Sequence, residues 1–378
     1  MDDLRTRLGN RIRSARTALG FTQQKLSEEA GLPAPQVVSQ IEKGEREVKA
    51  WELVNIARVL RVDIGQLLRI EEPSTRAVVL WRQQPGENRT ILEAEFMQAC
   101  ERYALLERLC GHCGEADLPS WSENTTRMRY EQAELLANTT REQFGLGSRP
   151  SHALLGVLED RYGVKVWHRR LGIDGSAACS RGDVGAAVLL NADEVPWRRT
   201  FSLAHELFHL LTWKEVEEDA PADDSAASER TEQCANAFAA ALLLPADSIR
   251  RTWARRTEGG TMHEVDIVEI AREYDVSADA LLYRLQNLSL LSPEAVAKLR
   301  QNDAFRRLDR STRPPAWAEP PDPPERYVRL AFTAFQKGSL SRARLAELLG
   351  VSIADLNDTL QEYGLDERQD LAAELRTA

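Results

Sequence analysis

The 378-residue sequence contains no apolar run of membrane-spanning length. No stretch approaches roughly 18 consecutive apolar residues, the length at which a spanning helix is expected. The first residues are charged (Asp2, Asp3, Arg5 and Arg7), so a signal peptide is not expected either. Only five cysteines are present, at irregular spacing, which argues against a disulfide framework and favours a reducing, cytoplasmic setting.

An overall positive charge is also missing. The net charge of −10 argues against a protein that binds nucleic acid along its whole length. The charge is unevenly distributed, however, because residues 1–70 contain 12 Lys or Arg against 9 Asp or Glu and so carry +3. With 43% apolar and 29% charged residues the chain can build buried cores, and its length predicts two to four domains.

A polar motif inside an apolar helix is the strongest indication of function. The stretch Thr200–Leu211 predicts a buried helix that contains His205, Glu206 and His209. Histidines four residues apart project from one face of a helix, where two imidazoles can hold a divalent ion, most often zinc. Glu206 points beside such an ion and can take a proton from water there. The alternative is that all three are structural polar groups, each with its own hydrogen-bond partner.

A second predicted helix supplies candidates for a third metal ligand. Apolar residues recur at helical spacing after Glu229, and Pro245 ends the pattern. Glu232 is the preferred ligand and Glu229 the competing one, while Asn236 is placed one turn on to hydrogen-bond a ligand. Two histidines and one glutamate leave a fourth coordination position open, as in catalytic rather than closed structural zinc sites.

These paired motifs resemble those of the ImmA/IrrE metallopeptidases. The similarity rests on residues 204–209, on Glu232-x-x-Ala235-Asn236-x-Phe238 and on Leu242–Pro245, and it extends over about residues 150–290. It implies a zinc-dependent endopeptidase that cleaves a DNA-binding repressor to control stress, mobile-element or toxin-antitoxin genes. The resemblance implies that the zinc ligands are His205, His209 and Glu232. It implies that the general base is Glu206. A non-proteolytic, antitoxin-like repressor that uses the metal fold as a sensor or scaffold is the alternative.

The basic N-terminal part predicts a separate domain of five short helices. Residues 22–44 have a helix-turn-helix pattern, with Thr22 as an N-cap and Gly31 in the turn. The pattern resembles the Xre family of phage-repressor-type DNA-binding domains over residues 7–70. That resemblance implies binding of double-stranded operator DNA through residues 1–70, and a homodimer is the default expectation.

The second helix of this motif is expected to lie in the major groove. Gln36 and Gln40 are the candidates for reading bases, because a glutamine amide can bond adenine in bidentate fashion. Gln23 is a candidate for a phosphate contact, and Lys43 and Arg46 are expected to add salt-sensitive phosphate attraction. The alternative is a helical bundle without DNA affinity that serves in dimerisation or docking.

The overall prediction is a mainly α, multidomain protein. It combines a five-helix lambda-repressor-like domain, an α+β zincin-like peptidase domain with a small sheet, and a C-terminal helical region. The predicted strands are 77–81, 164–167 and 186–190, with a Gly-containing turn region between the last two. The predicted domains are 1–70 (DNA-binding), 71–149 (mainly helical connection), 150–290 (peptidase), 291–324 (tail and Pro-rich linker) and 325–378 (helical appendage).

Some further motifs carry weaker predictions. The cluster Cys110-Gly-His112-Cys113 lacks a second cysteine pair and is interpreted as incidental. Tyr283 and His263 are candidates for stabilising a tetrahedral oxyanion. Two stretches, 266–285 and 341–356, repeat the helix-turn-helix cadence without a basic surplus and are interpreted as structural or substrate-docking units.

Overall fold

The computed structural model forms two compact units of helices, the second of which contains a small sheet, in agreement with the predicted mainly α, multidomain fold. The first unit comprises Met1–Val78, Pro85–Leu105 and Gly182–Val184, and the second comprises Val79–Gln84, Leu106–Arg181 and Gly185–Ala378. The structure describes residues 2–62, 64–68, 78–82, 89–111, 116–121, 128–172, 175–213, 225–258, 262–311 and 319–366.

The first unit contains the five short helices that the sequence predicts. They are α1 (Asp2–Ala18), α2 (Gln23–Glu29), α3 (Pro35–Glu42), α4 (Ala50–Leu60) and α5 (Ile64–Leu68). The Thr22 hydroxyl accepts a hydrogen bond from the Lys25 amide at 3.1 Å and so caps α2. Gly31 has a φ of +65°, which lets the chain turn between α2 and α3. Leu26, Val38 and other apolar residues of these helices form the core of the unit.

Close packing fixes α3 against α1. A Cβ at Gly9 on α1 would overlap the backbone of Ile41 and Glu42, so this contact requires glycine. The buried carboxylate of Glu42 accepts hydrogen bonds from Arg16 at 2.5 and 3.1 Å and from the Gln23 amide at 2.9 Å. A buried charge needs such partners, so this network holds α3 in one orientation.

The second unit contains a four-stranded sheet. Its strands are β1 (Val79–Trp81), β2 (Lys165–Arg169), β3 (Ala177–Gly182) and β4 (Gly185–Asn191), in the order β1-β3-β4-β2. Strands β1 and β3 are antiparallel, whereas β2 and β4 are parallel. The sequence prediction contains β1, β2 and β4, but β3 lies where only a turn region is expected. Its segment Ala-Ala-Cys-Ser-Arg-Gly has no β-branched residue, so it carries little strand signal.

Helices surround this sheet. They are α6 (Arg89–Cys110, which begins in the first unit), α7 (Tyr130–Phe144), α8 (Pro150–Gly156, continued by a π-helical turn at Val157–Arg161), α9 (Pro196–Leu211), α10 (Ser225–Leu243), α11 (Ala246–Thr257), α12 (Glu264–Glu273), α13 (Ala278–Asn287), α14 (Pro293–Gln301), α15 (Asp303–Ser311), α16 (Glu325–Gln336), α17 (Arg342–Leu349) and α18 (Leu356–Glu362). The two repeats of helix-turn-helix cadence correspond to α12–α13 and α17–α18. Among the described helices, none has an apolar stretch long enough to cross a bilayer.

Helix α9 is the central element of the second unit. It begins with Pro196, a residue suited to the first helical turn, and is buried continuously from Ser202 to Leu211. It packs against α8, α10 and β4. The buried side chain of Asn191, at the end of β4, accepts from the amides of Leu171 and Asp193 and donates to two carbonyls. This hydrogen bonding fixes the loop that leads into α9.

Other predictions fall partly outside the described residues. Cys110 at the end of α6 is buried and donates from its thiol to the Leu330 carbonyl at 3.2 Å, while His112 and Cys113 are outside the described part. Residues 313–318 of the Pro-rich stretch are outside it too. In the C-terminal region, the buried Arg326 of α16 bonds Glu107 at 2.7 Å, and Lys165 bonds the same carboxylate at 2.8 Å.

Candidate metal centre and DNA-binding helix

Two histidines of α9 and one glutamate of α10 converge on a single point. The Nε2 atoms of His205 and His209 lie 3.3 Å apart. Glu232 places one carboxylate oxygen 3.1 Å from the His205 Nε2 and the other 3.2 Å from the His209 Nε2. These ligand atoms all lie within 4.8 Å of one another, a spacing that suits one divalent ion.

Burial and contacts within the cluster shift the pKa values of these groups. Burial lowers the pKa of His205 to about 4, which leaves a neutral imidazole near pH 7. Burial alone would raise the pKa of Glu232, but its close contacts with His205 and His209 outweigh this effect and lower that pKa. Burial would also lower the pKa of His209, yet the hydrogen bond to Glu232 and the charge of Glu206 raise it. A cation between these side chains would take the place of the proton that His209 shares with Glu232.

Glu229, the competing ligand in the sequence, lies elsewhere. Its side chain is exposed and accepts a hydrogen bond from the Gln233 amide at 3.3 Å. Of the two acids, the structure therefore brings Glu232 to the histidines. The roles of these residues as ligands remain predictions, which the geometry supports.

Glu206 has an unusual environment for a carboxylate. It is 0% exposed, and neither of its oxygens has a nitrogen or oxygen hydrogen-bond partner within the described ranges. The thiol of Cys179 on β3 lies beside it, and burial together with the Glu206 charge raises the pKa of that thiol well above its ordinary value. Burial raises the pKa of Glu206 itself to about 7. A buried carboxylate without a fixed partner is costly for stability and is typical of a functional group that exchanges a proton.

Asn236 adjoins the metal triad, one turn after Glu232 on α10. Its Oδ1 lies 3.1 Å from the Nδ1 of His205, so Nδ1–H donates to it. This tautomer leaves the lone pair of Nε2 directed at the point of convergence. The position of Asn236 supports its predicted role in orienting His205, and that role remains a prediction.

Arg82 is a neighbour of the site that the sequence analysis does not include. It follows β1 directly, and its guanidinium donates to the Ser202 hydroxyl at 3.2 Å and to the Asn236 Oδ1 at 3.3 Å. Those partners are 120 and 154 residues away in sequence. No local pattern signals a contact at such separations, which explains why residue spacing did not find it.

A cavity of about 1080 Å³ extends from Arg82 and Asn236. Small residues of α10 line it at Ala237 and Ala240, and aromatic side chains form much of its wall. The aromatic residues are Tyr130, Trp197, Phe201 and Tyr283. Its dimensions suit a peptide segment with apolar side chains.

The structure separates the two oxyanion candidates. Tyr283 lines the cavity, is 47% exposed and has the Arg300 guanidinium over its ring at 4.8 Å. His263 is exposed at the start of α12, where its amide donates to the Asp266 carboxylate. Neither side chain belongs to the cluster of metal-binding residues, and both roles remain predictions.

Helix α3 carries the two candidates for base recognition. Gln36 and Gln40 are both exposed and lie one turn apart, so they project from the same face. Lys43, at the C-cap of α3, is exposed as well. Gln23 and Arg46, by contrast, bond internally to Glu42 at 2.9 Å and Glu52 at 2.8 Å. All five DNA contacts remain predictions.

Comparisons with known proteins match a segment of each unit to a family. Residues 12–67 match the helix-turn-helix family and residues 159–286 match the IrrE N-terminal-like domain family. The radiation response metalloprotease IrrE of Deinococcus deserti is 32% identical over 145 residues, 37% of this chain and 48% of that protein. An uncharacterised helix-turn-helix transcriptional regulator of Sinorhizobium medicae is 42% identical over 58 residues, 15% of this chain and 41% of that protein. The chain thus spans less than half the length of each of these two relatives.

Proposed function

From the premise that this chain joins an Xre-like helix-turn-helix domain to an IrrE-like metallopeptidase domain, we propose that it is a DNA-binding regulator with zinc-dependent endopeptidase activity. The observation that carries the proposal is the buried carboxylate of Glu206 beside the His205–His209–Glu232 triad, because neither of its oxygens has a nitrogen or oxygen hydrogen-bond partner among the described residues. A purely structural metal site has no use for such a base. For that reason the proteolytic function is favoured over a regulator that keeps the metal fold only as a sensor or scaffold.

The proposed cofactor is zinc, held by His205, His209 and Glu232. Two neutral imidazoles and one carboxylate fit the ligand set of catalytic zinc sites, in which a fourth position stays open. Zinc bound there would supply Lewis-acid polarisation of a peptide carbonyl and would lower the pKa of water in the site. Asn236 holds His205 in the tautomer whose Nε2 is free to bind.

Glu206 is the proposed general base and acid. A pKa of about 7 is close to the optimum for a group that must both take and release a proton near neutral pH. Its carboxylate takes the proton of the attacking water and then gives it to the leaving amine, after which the carboxylate is regenerated. The surrounding apolar core excludes other water from the carboxylate.

The proposed substrate is a repressor protein, as the resemblance to the ImmA/IrrE metallopeptidases implies. The cavity that adjoins Arg82 and Asn236 would accept residues on one side of the cleaved bond. Its lining combines aromatic side chains and alanines with charged side chains, among them Glu131, Arg198 and Asp279, so it would accept a peptide with both apolar and polar groups.

The first unit is proposed to bind double-stranded operator DNA, as a homodimer, through α3 in the major groove. Gln36 and Gln40 would contact bases. Lys43 would contact the phosphate backbone, and Gln23 and Arg46 would do so after releasing their internal glutamate partners. This arrangement would bring the peptidase to the genes whose repressor it cleaves.

The test compares the zinc-loaded wild type with Glu206→Gln. Each is incubated with the repressors encoded by genes adjacent to its own, and the products are analysed by mass spectrometry. We expect a single cut in one repressor by the wild type and none by the variant, with equal zinc content in both proteins.

Two results would contradict the proposal. If neither protein cuts a repressor and Glu206→Gln controls the target genes as the wild type does, the non-proteolytic regulator is correct. If the wild type cuts only itself, the mass spectrum identifies self-cleavage instead of cleavage of a partner.

A further inference from the structure

Strand β1 places the guanidinium of Arg82 beside the candidate metal centre, although Arg82 is distant from that centre in sequence. The strand pairs with β3 in antiparallel register, with Val79 opposite Ser180 and Trp81 opposite Ala178. The amide of Arg82 continues this pairing by donating to the Ala177 carbonyl at 3.1 Å. The backbone of Arg82 is therefore fixed by the sheet, and its side chain starts from a defined position.

The side chain of Arg82 bridges the two helices that carry the metal triad. It donates to Ser202 on α9 and to Asn236 on α10, and its guanidinium lies 5.4 Å from the centre of the Phe201 ring. No carboxylate of the described residues forms a salt bridge with it. Its two hydrogen bonds go to neutral acceptors, while the carboxylates of Glu206, Glu194 and Glu232 attract it at longer range.

Asn236 is the residue on which these contacts converge. Its Oδ1 accepts hydrogen bonds from both Arg82 and His205. Two donors from different elements oppose rotation of an exposed amide, which would otherwise present either its oxygen or its NH₂ group to His205. If the NH₂ group faced the ring, Nδ1 would have to accept, and Nε2 would carry the proton and lose its metal-binding lone pair.

We propose that Arg82 is a positioning residue of the metal centre, which holds the Asn236 amide and through it the metal-binding tautomer of His205. The inference rests on the proposed metal-dependent function. Arg82 lies outside both family-matched segments, 12–67 and 159–286, so the site is completed by a residue that neither domain match contains. The remaining face of Arg82 lines the cavity, next to the path of the proposed substrate.

The test measures zinc affinity in the full-length protein by competition with a chromophoric chelator. We expect Arg82→Ala and Asn236→Ala each to weaken zinc binding about 10- to 100-fold, as is usual when a partner of a ligating histidine is removed. The double variant should bind zinc no more weakly than either single one, because both substitutions break the same chain of contacts. Arg82→Lys should restore binding only in part, since one ammonium replaces a fork that reaches two acceptors.

Arg199→Ala is the matched control. Arg199 lies on α9, is half-buried and donates to the carbonyls of Ala192 and Glu194 at 3.2 and 3.0 Å, away from Asn236. Its replacement should leave zinc affinity unchanged. A second readout is the tautomer of His205 in metal-free protein, measured by ¹⁵N NMR, which should change from Nδ1–H towards a mixture in Arg82→Ala but not in Arg199→Ala.

Four outcomes bear on this inference and on the proposed function. Zinc affinity and tautomer as in the wild type for Arg82→Ala would overturn the inference, and so would independent effects of the two substitutions in the double variant. If the wild type itself bound no zinc, the metal centre and this inference would both be wrong. If Arg82→Ala lost zinc affinity while no repressor was ever cleaved, the positioning role of Arg82 would be supported and the proposed peptidase activity would be wrong.

Discussion

Replacing Glu206 by glutamine probes the proposed base in metal-free protein and without any substrate. Burial raises the pKa of Glu206 from 4.5 to about 7 in the folded state. Between these two values the folded protein binds more protons than the unfolded chain, so the free energy of unfolding falls as the pH rises. Glutamine has almost the same shape and does not titrate. The difference between the wild type and Glu206→Gln therefore reports on this carboxylate and on its interaction with His209, whose pKa its charge raises.

The size of the effect follows from the shift in pKa. From about pH 5 to about pH 8 the wild type should lose about 2 to 3 kcal/mol of unfolding free energy relative to Glu206→Gln. His205 acts in the opposite direction, because burial lowers its pKa to about 4 and stability then rises with pH over this range. That contribution is present in both proteins and cancels in their difference to first order.

The assay is urea unfolding in the presence of a chelator, followed by tryptophan fluorescence at both pH values. Among the eight tryptophans only Trp51 lies in the first unit, so the signal reports mainly on the second. Glu229→Gln is the control, since it removes an exposed carboxylate of α10 that lies outside the His205–His209–Glu232 cluster. The reasoning would be refuted if the difference in unfolding free energy between the wild type and Glu206→Gln did not depend on pH. It would also be refuted if the wild type became more stable relative to Glu206→Gln as the pH rises.

Three other outcomes are expected. Zinc at about a thousand times its dissociation constant should raise the unfolding free energy of the second unit by about 4 kcal/mol, and His209→Ala should abolish that gain in the same urea assay. In a gel-shift series, Gln40→Ala should reduce the binding free energy by about 1 to 3 kcal/mol and relax the preference at one operator base pair. Lys43→Ala should instead weaken binding to all DNA sequences alike and reduce the salt dependence of that binding. Ala240→Trp should obstruct the part of the cavity next to α10 and suppress repressor cleavage while leaving zinc affinity at the wild-type value, and undiminished cleavage would place the substrate elsewhere.

The sequence is most informative where spacing along one helix decides the geometry. The four-residue interval between His205 and His209 fixes their shared face, and the apolar positions around them predict a buried helix whatever surrounds it. The helices of the first unit are predictable for the same reason, with Thr22 and Gly31 marking the start of one helix and the turn before the next. Glu232 could be preferred over Glu229 from the pattern, but only the packing of α10 on α9 brings its carboxylate to the two rings.

Contacts between distant segments carry no such pattern. The strand at Ala177–Gly182 is stabilised by its neighbours in the sheet and not by its own residues, so its composition does not reveal it. Arg82 looks like any surface arginine in the sequence, and its partners are set by the register of β1 on β3. The burial of Glu206 beneath Cys179 is likewise a tertiary property, although its position in the motif is evident from the sequence alone.

The short strand β1 has a practical consequence for cutting the protein into pieces. A fragment that begins at residue 150, or at the start of the family match, would leave the outer N–H and C=O groups of β3 bare and prone to join another chain. It would also lack Arg82, whose guanidinium donates a hydrogen bond to Asn236. An expression fragment for the second unit should therefore begin upstream of Val78, and inactivity of a shorter piece would say nothing about the whole chain.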